Sequence, residues 1–206
     1  MLAAITYESM IKSMTESPLQ QNMIGILLAR PTSKSGKDII ETLPYYHHRS
    51  GENIHFYLPG YGAYWCGTYP DEQNVIVIDG VPWSFSNQKY VEFIEALEKR
   101  STWQYSGESE LLLVECANNA LDYSNVLRFH LDAMLRDNAI SSINVLFESI
   151  FRYASQQNEL LRIGHMTGRK TLEQITMDYI LEQLPKFFNG VIKKGLHYLF
   201  HNYSRC

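Results

Sequence analysis

The chain has few cysteines, and their spacing matches neither a disulfide framework nor a zinc site. Three occur among 206 residues, at Cys66, Cys116 and Cys206, and no two of them form a CxxC pair. An odd number of cysteines without a motif is typical of reduced thiols in the cytoplasm. Since HExxH and Cys/His finger spacings are missing as well, we expect no metal and no cofactor. Cys66 has no base beside it in an evident register, which disfavours a thiol nucleophile.

Long apolar runs are also missing. No stretch reaches the roughly 18 consecutive apolar residues that a transmembrane helix needs, so no integral membrane segment is expected. The first residues contain no basic segment and reach an acid at Glu8, which is not the pattern of a signal peptide. These features predict a cytoplasmic location.

The sequence motifs of several common chemistries do not occur. GxSxG, GxGxxG and the phosphate-loop pattern GxxxxGK[ST] are absent. Lys37 follows Gly36 but precedes Asp38, and the nearest earlier glycine is Gly25. A thioredoxin-like protein would carry CxxC at the start of the first long helix, where this chain has residues 33–36 instead. No family is identified, and the question of enzymatic activity stays open.

Charge is neither abundant nor strongly one-sided. Charged residues make up 19% of the chain against 45% hydrophobic residues, and the formal net charge is −4. There is therefore enough apolar surface to bury a core. A weakly acidic chain is not typical of a dedicated phosphate-backbone binder, so nucleic acid is expected as a partner only through the basic C-terminal segment.

The apolar runs that do occur are short and continuous. A strand at 23–29, a helix at about 37–47 and a strand at 54–58 predict a right-handed βαβ unit, with Pro44 kinking or ending the helix. Other strands are predicted at 75–78, 81–85 and 110–115, and other helices at 5–15 and 88–99. Because several runs are apolar throughout, we predict an α/β (or α+β) fold. Its mostly parallel sheet would have about four strands, the first two at its centre.

The second half of the chain reads as helical. Val126 to Leu135 and Ile140 to Phe151 carry apolar residues at spacings near those of a helix, and a last pair of helices is predicted at 171–184 and 186–202. We divide the chain into an α/β sheet region at 1–116 and a helical region at 117–206. The two are expected to share one core as a single domain, because no linker-like composition separates them.

The loop after the first predicted long strand is the first candidate ligand site. Ligands of parallel α/β sheets gather at the carboxyl ends of strands, and a helix start there attracts anions. Thr32, Ser33, Ser35 and Gly36 would bind phosphate. The competing interpretation is an ordinary turn that Ser33 or Ser35 caps.

Histidines, an arginine and acids supply further candidates. Arg49 would pair with a phosphate, and His48 or Asp79 would serve as the acid–base residue if there is turnover. A solvated helix end and an Asp-Gly turn explain these residues equally simply. Glu108, Glu110 and Glu115 around the strand at 110–115 are additional carboxylates.

Two further segments suit contacts with a ligand or partner. In the loop at 59–70, Tyr61, Tyr64 and Trp65 would stack on a ring, or would instead fill a satellite core. In the C-terminal segment, Lys193 and Lys194 would contact an acidic partner, although the apolar residues around them are typical of a core helix.

Two functions follow from these patterns. The first is a non-catalytic interaction or accessory subunit of a cytosolic multi-protein assembly, such as a bacterial antiviral-defence or signalling complex, with a protein partner or self-association. The alternative is a small α/β enzyme or sensor that binds a nucleotide or another phosphorylated ligand at the loops after the first two strands.

Overall fold

The computed structural model of the chain describes residues 2–16, 23–50, 54–65, 67–117, 120–166 and 198–204. In chain order its elements are β1 (Leu2–Ala4), α1 (Tyr7–Glu16), β2 (Met23–Leu28), α2 (Lys34–Ser50), β3 (His55–Pro59), β4 (Tyr61–Ala63), β5 (Gln73–Ile78), β6 (Val81–Phe85), α3 (Asn87–Arg100), β7 (Glu110–Ala117), β8 (Ala120–His130), α4 (Leu131–Arg136), α5 (Ile143–Met166) and β9 (Tyr198–His201). The predicted helix at 171–184, most of that at 186–202, Lys193, Lys194 and Cys66 lie outside these ranges.

A six-stranded mixed sheet is the centre of the fold, with the strand order β1-β3-β2-β7-β8-β9. The predicted βαβ unit is present: β2 and β3 are parallel neighbours joined by α2, which continues past Pro44. The prediction of a mostly parallel sheet is wrong, because β7 lies antiparallel to β2 and β8 antiparallel to β7. The sheet also has six strands where about four were expected, and its central pair is β2 and β7 rather than β2 and β3. A continuous apolar run indicates burial on both faces. Interior antiparallel strands share that property, so the run does not reveal strand direction.

A second, three-stranded antiparallel sheet has the order β4-β6-β5. It contains the predicted strands at 75–78 and 81–85, so the first of these does not belong to the central sheet. Asp79 and Gly80 form the tight turn between β5 and β6, both with positive φ. Such angles are typical of the two-residue hairpin turn that an Asp-Gly pair favours.

The prediction of a helix from Val126 onward is wrong for its first part. β8 extends to His130, and α4 begins only at Leu131. Apolar residues at Leu127 and Phe129 fit a helix loosely, but they lie opposite Leu113 and Leu111 of β7 in a long antiparallel ladder. Pairing with β7 buries these side chains completely, and this tertiary contact outweighs local helix propensity.

The helix predicted over 186–202 is wrong at its end, because residues Tyr198–His201 form the strand β9. This strand pairs with β8 in the central sheet. By contrast, α5 contains the regular apolar spacing that predicted a helix there.

One hydrophobic cluster includes buried residues on both sides of residue 117, while the division into regions at 116/117 stays a prediction. Among the described helices, none is both long and apolar enough to cross a bilayer.

A buried ion pair fixes the segment that leads into β7. Glu110 is fully buried, and its two carboxylate oxygens accept hydrogen bonds from Arg128 on β8 at 2.8 and 2.6 Å. The same carboxylate accepts the Trp103 indole N–H at 3.3 Å and the Ser106 amide at 3.0 Å. Arg128 also donates to the carbonyl of Gln104 at 3.1 Å. The pair therefore holds residues 103–109 against the sheet.

Removing one charge of this pair should be costly. Glu110→Gln leaves the partly buried Arg128 beside a neutral partner, and we expect the free energy of unfolding to fall by about 3 kcal/mol in urea titrations. The double variant Glu110→Gln/Arg128→Met should recover part of that loss, because no unpaired charge remains. Arg136→Gln, which breaks an exposed pair with Glu108, is the control and should cost at most about 1 kcal/mol. Equal losses in Glu110→Gln and Arg136→Gln would contradict this account.

Candidate functional site

A cavity of about 650 Å³ lies at the carboxyl end of β2. Because β7 is antiparallel to β2, Glu110 lies beside Leu28, and His130 at the end of β8 lies beside Glu110. This register brings together the β2–α2 loop, the segment before β7 and the start of α4. The cavity is lined by Arg30, Thr32, Ser33, Lys34, Tyr105, Gly107, Glu108, Ser109, Asp132, Leu135 and Arg136. Its volume is within the range of small-molecule sites.

The start of α2 forms one wall. The Ser33 hydroxyl accepts a hydrogen bond from the Gly36 amide at 3.0 Å and donates to the Arg30 carbonyl at 3.0 Å. Ser33 is therefore an N-cap, as the simpler interpretation of this loop proposed. Among the described groups, none accepts a hydrogen bond from the amides of Lys34 and Ser35. These amides belong to the first turn, where a helix leaves its N–H groups available.

Three serine hydroxyls join this wall to the start of β7. Ser35 donates to the Ser109 hydroxyl at 2.7 Å, and the hydroxyls of Ser109 and Ser33 are 3.1 Å apart. The Ser33 proton goes to the Arg30 carbonyl, so the Ser109 proton goes to Ser33. In this arrangement, all three hydroxyl protons are used within the protein. The geometry thus assigns Ser33 and Ser35 to holding the cavity wall.

Gly36 is needed for the same turn. A Cβ atom at this position would lie 1.8 Å from the Arg30 carbonyl oxygen and 2.6 Å from the Ser33 hydroxyl. Only glycine, which has no Cβ atom, lets the first turn of α2 lie this close to the Arg30–Ser33 turn. Gly36 shapes the site without lining the cavity.

The charged side chains around the cavity differ in whether they form ion pairs. Arg136 pairs with Glu108 at 2.9 Å, and the Asp132 carboxylate accepts the Ser109 amide at 2.7 Å. Within the described part of the chain, Arg30 and Lys34 form no ion pair. Three cations and two carboxylates line the cavity, which gives it a formal net charge of +1, with Arg30 and Lys34 beside the start of α2.

Neutral groups hold Arg30 in place. Its guanidinium carbon lies 4.6 Å from the centre of the Tyr90 ring and 5.6 Å from that of Tyr105. Its Nε atom donates to Asn87 at 3.1 Å, and an Nη atom donates to the Tyr105 hydroxyl at 3.3 Å. Aromatic rings attract a guanidinium without neutralising it, so Arg30 is oriented and keeps its full charge.

His48 and Asp79 are brought together, but away from the cavity. His48 Nε2 and Asp79 Oδ1 are 3.1 Å apart, and both side chains are more than half exposed. His48 is near the end of α2, which places it about 20 Å from Lys34 at the usual helical rise. Arg49 is also at this end, where its Nε atom lies 3.5 Å from Glu148 of α5. These residues are therefore not positioned to act on a ligand in the cavity.

The aromatic loop is divided between the interior and the surface. Tyr61 is buried and donates to the Ala29 carbonyl at 2.8 Å; its burial raises the pKa of the phenol. Trp65 is buried against Tyr69, with ring centres 4.7 Å apart. Tyr64 is 75% exposed and has a φ of 62°. None of the three predicted stacking residues lines the cavity.

The sequence patterns do not reveal Tyr105, Asp132 and Arg136 as site residues. Tyr105 lies in a short irregular segment, and the other two lie in a stretch read as one continuous helix. Recognition of β8 as a strand ending at His130 would have placed the start of α4 beside the β2–α2 loop. Of the noted carboxylates, Glu108 lines the cavity, whereas Glu110 is used in the buried ion pair.

Comparisons with known proteins do not suggest a function for this chain. No protein-family model matches the chain, and searches of curated proteins and of solved structures find no match. In the ranges that the structure describes, no group of three or more His, Cys, Asp or Glu side chains is placed to bind a metal ion. The charged cavity is therefore the candidate functional site.

Gly36→Ala tests the packing of this site. The new methyl group must displace the Arg30–Ser33 turn, so we expect urea titrations to show a loss of about 1–3 kcal/mol in the free energy of unfolding. Lys37→Ala, at an exposed position of the same helix, should stay within about 0.5 kcal/mol of the unmodified protein. If the two variants are equally stable, the Arg30 carbonyl does not approach Gly36 as described.

Proposed function

We propose that the protein binds a small phosphorylated ligand, such as a nucleotide, in the charged cavity. The observation that carries the proposal is that Arg30, Lys34 and the N-cap Ser33 of α2 line one open cavity. Helix N-termini attract anions through their N–H groups and their dipole. Two side-chain cations that form no ion pair among the described residues strengthen that attraction, and the Thr32 hydroxyl adds a neutral donor.

The fixed position of Arg30 supports the same proposal. A planar guanidinium suits the oxygens of phosphate, and one that is already oriented loses less conformational entropy on binding. The contacts of Arg30 with Tyr90, Tyr105 and Asn87 supply that orientation. Since His48 and Asp79 lie far from this space, the proposal is one of binding, as in a sensor or a ligand-responsive subunit, without a catalytic step.

A protein partner is a second candidate function, favoured by one surface. Val77 is 59% exposed on the edge strand β5, and Pro82, which is also exposed, lies directly opposite on β6. Directly opposed residues share one face of a sheet. Exposed apolar side chains that lie together can start an association surface, so this face is where we place the contact of an accessory subunit with its partner.

Self-association through this face has a direct test. Val77→Asp places a charge at its centre, and light scattering after size-exclusion chromatography measures the mass in solution. If the face joins two copies, the unmodified chain should be a dimer or larger, and the variant should be a monomer. An oligomer of unchanged mass in the variant would assign association to another surface, and a monomeric unmodified chain would exclude self-association.

Ligand binding is tested by thermal unfolding with a panel of inorganic phosphate, nucleoside mono-, di- and triphosphates and cyclic nucleotides. A ligand at 100 times its dissociation constant should stabilise the protein by about 2.7 kcal/mol. Lys34→Ala should remove much of this stabilisation, because it deletes a cation of the cavity that forms no ion pair among the described residues. Lys12→Ala, an exposed lysine of α1 outside the cavity lining, is the matched control. Absence of any shift, or equal shifts in the two variants, would contradict the proposal.

A further inference from the structure

Tyr105 lines the cavity, and its hydroxyl accepts two hydrogen bonds. Tyr90 donates to it at 2.8 Å, and Arg30 donates to it at 3.3 Å. A tyrosine hydroxyl can accept two hydrogen bonds and donate one. Both acceptor positions of Tyr105 are therefore filled, and only its proton remains to be placed.

Burial determines the direction of the contact between the two tyrosines. Tyr90 has no exposed surface, and Tyr105 is the only described hydrogen-bond partner of its hydroxyl. If Tyr90 accepted from Tyr105, its own proton would be left without a partner in the interior, which is unfavourable. Tyr105 reaches the cavity, where its proton has space to meet a partner. The hydrogen bonds thus run from Tyr90 to Tyr105 and from Tyr105 toward the cavity.

The neighbouring groups leave that proton available. The backbone amide of Tyr105 donates to Glu98 Oε1 at 2.9 Å, but no group in the described ranges accepts a hydrogen bond from the Tyr105 hydroxyl. Of the two carboxylates that line the cavity, Asp132 accepts the Ser109 amide and Glu108 pairs with Arg136. Burial also raises the pKa of Tyr105 above its usual value, which keeps the phenol protonated at neutral pH.

We propose that Tyr105 donates this hydrogen bond to a phosphoryl oxygen of the bound ligand and so selects for oxyanions. The inference rests on the proposed function, since it requires an anion in the cavity. Arg30 and Lys34 attract any anion, whereas a hydroxyl held in one direction favours an acceptor atom at a set position, which an oxygen of a bound phosphate can supply. Tyr105 would therefore favour phosphate, which has several acceptor oxygens around one centre, over a spherical halide ion.

The first test is the dissociation constant for inorganic phosphate and for adenosine 5′-monophosphate, measured by calorimetry. Tyr105→Phe keeps the ring beside Arg30 and removes only the hydroxyl, so binding should weaken about tenfold, as for loss of one hydrogen bond to a charged group. Tyr64→Phe, at an exposed tyrosine outside the cavity lining, should bind like the unmodified protein. Chloride should compete more effectively in Tyr105→Phe than in the unmodified protein.

The outcomes separate the two proposals. If the unmodified protein binds phosphate and Tyr105→Phe binds it equally well, Tyr105 is not a ligand contact and the proposed function stands. If the unmodified protein binds neither probe, the proposed function fails, and the role of Tyr105 fails with it.

The direction of the tyrosine contact has a separate test in the free protein. Nuclear magnetic resonance of ¹³Cζ-labelled tyrosine follows the ionisation of Tyr105 in the unmodified protein and in Tyr90→Phe. Donation from Tyr90 stabilises the Tyr105 phenolate, so its removal should raise the pKa of Tyr105. A lowered pKa would show that Tyr105 donates to Tyr90 and would overturn the inference.

Discussion

The ion pair between Glu110 and Arg128 is the interaction on which the shape of the site depends. Glu110 begins β7 directly beside the end of β2, so its position also fixes the segment that faces the start of α2. Its carboxylate holds the Trp103 indole and the Ser106 amide as well as the guanidinium of Arg128. A buried carboxylate is stable only with such complete hydrogen bonding. The buried and fully hydrogen-bonded Glu110 carboxylate therefore fixes the position of the wall that contains Tyr105.

The positive character of the cavity arises from the way in which its charges are compensated. Arg136 faces Glu108, whereas Arg30 rests on aromatic rings and Lys34 has no acidic partner within the described ranges. Helix α3 differs, because a carboxylate lies at its start. The Asp71 carboxylate accepts a hydrogen bond from the Gln88 amide, in the first turn of α3, at 2.7 Å. Hydrogen bonds from the Ser86 hydroxyl and from this amide stabilise the charged form and lower the pKa of Asp71. Helix α2 begins without an acid in its first turn, so its N-terminal amides remain available to a ligand.

Local sequence patterns predict the local parts of this structure and miss the parts that depend on distant contacts. The βαβ unit is evident from its apolar runs, and the loop at 32–36 is evident because it follows a buried strand and opens a helix. Strand direction is not evident, since burial on both faces is the same for either direction. Arg128 reads as an ordinary polar residue of a helix until β8 is paired with β7. Tyr105 and Asp132 join the site through that same hairpin, which no short window of sequence contains.

The central claim is that anions bind at the start of α2. The most direct measurement is a titration of the ¹⁵N-labelled protein with inorganic phosphate, followed by the amide resonances. The account predicts saturable shifts concentrated at Lys34, Ser35 and Ser109, with Asp79 and Tyr64 unchanged. Shifts confined to residues outside the cavity, or no saturable shift at any amide, would contradict it.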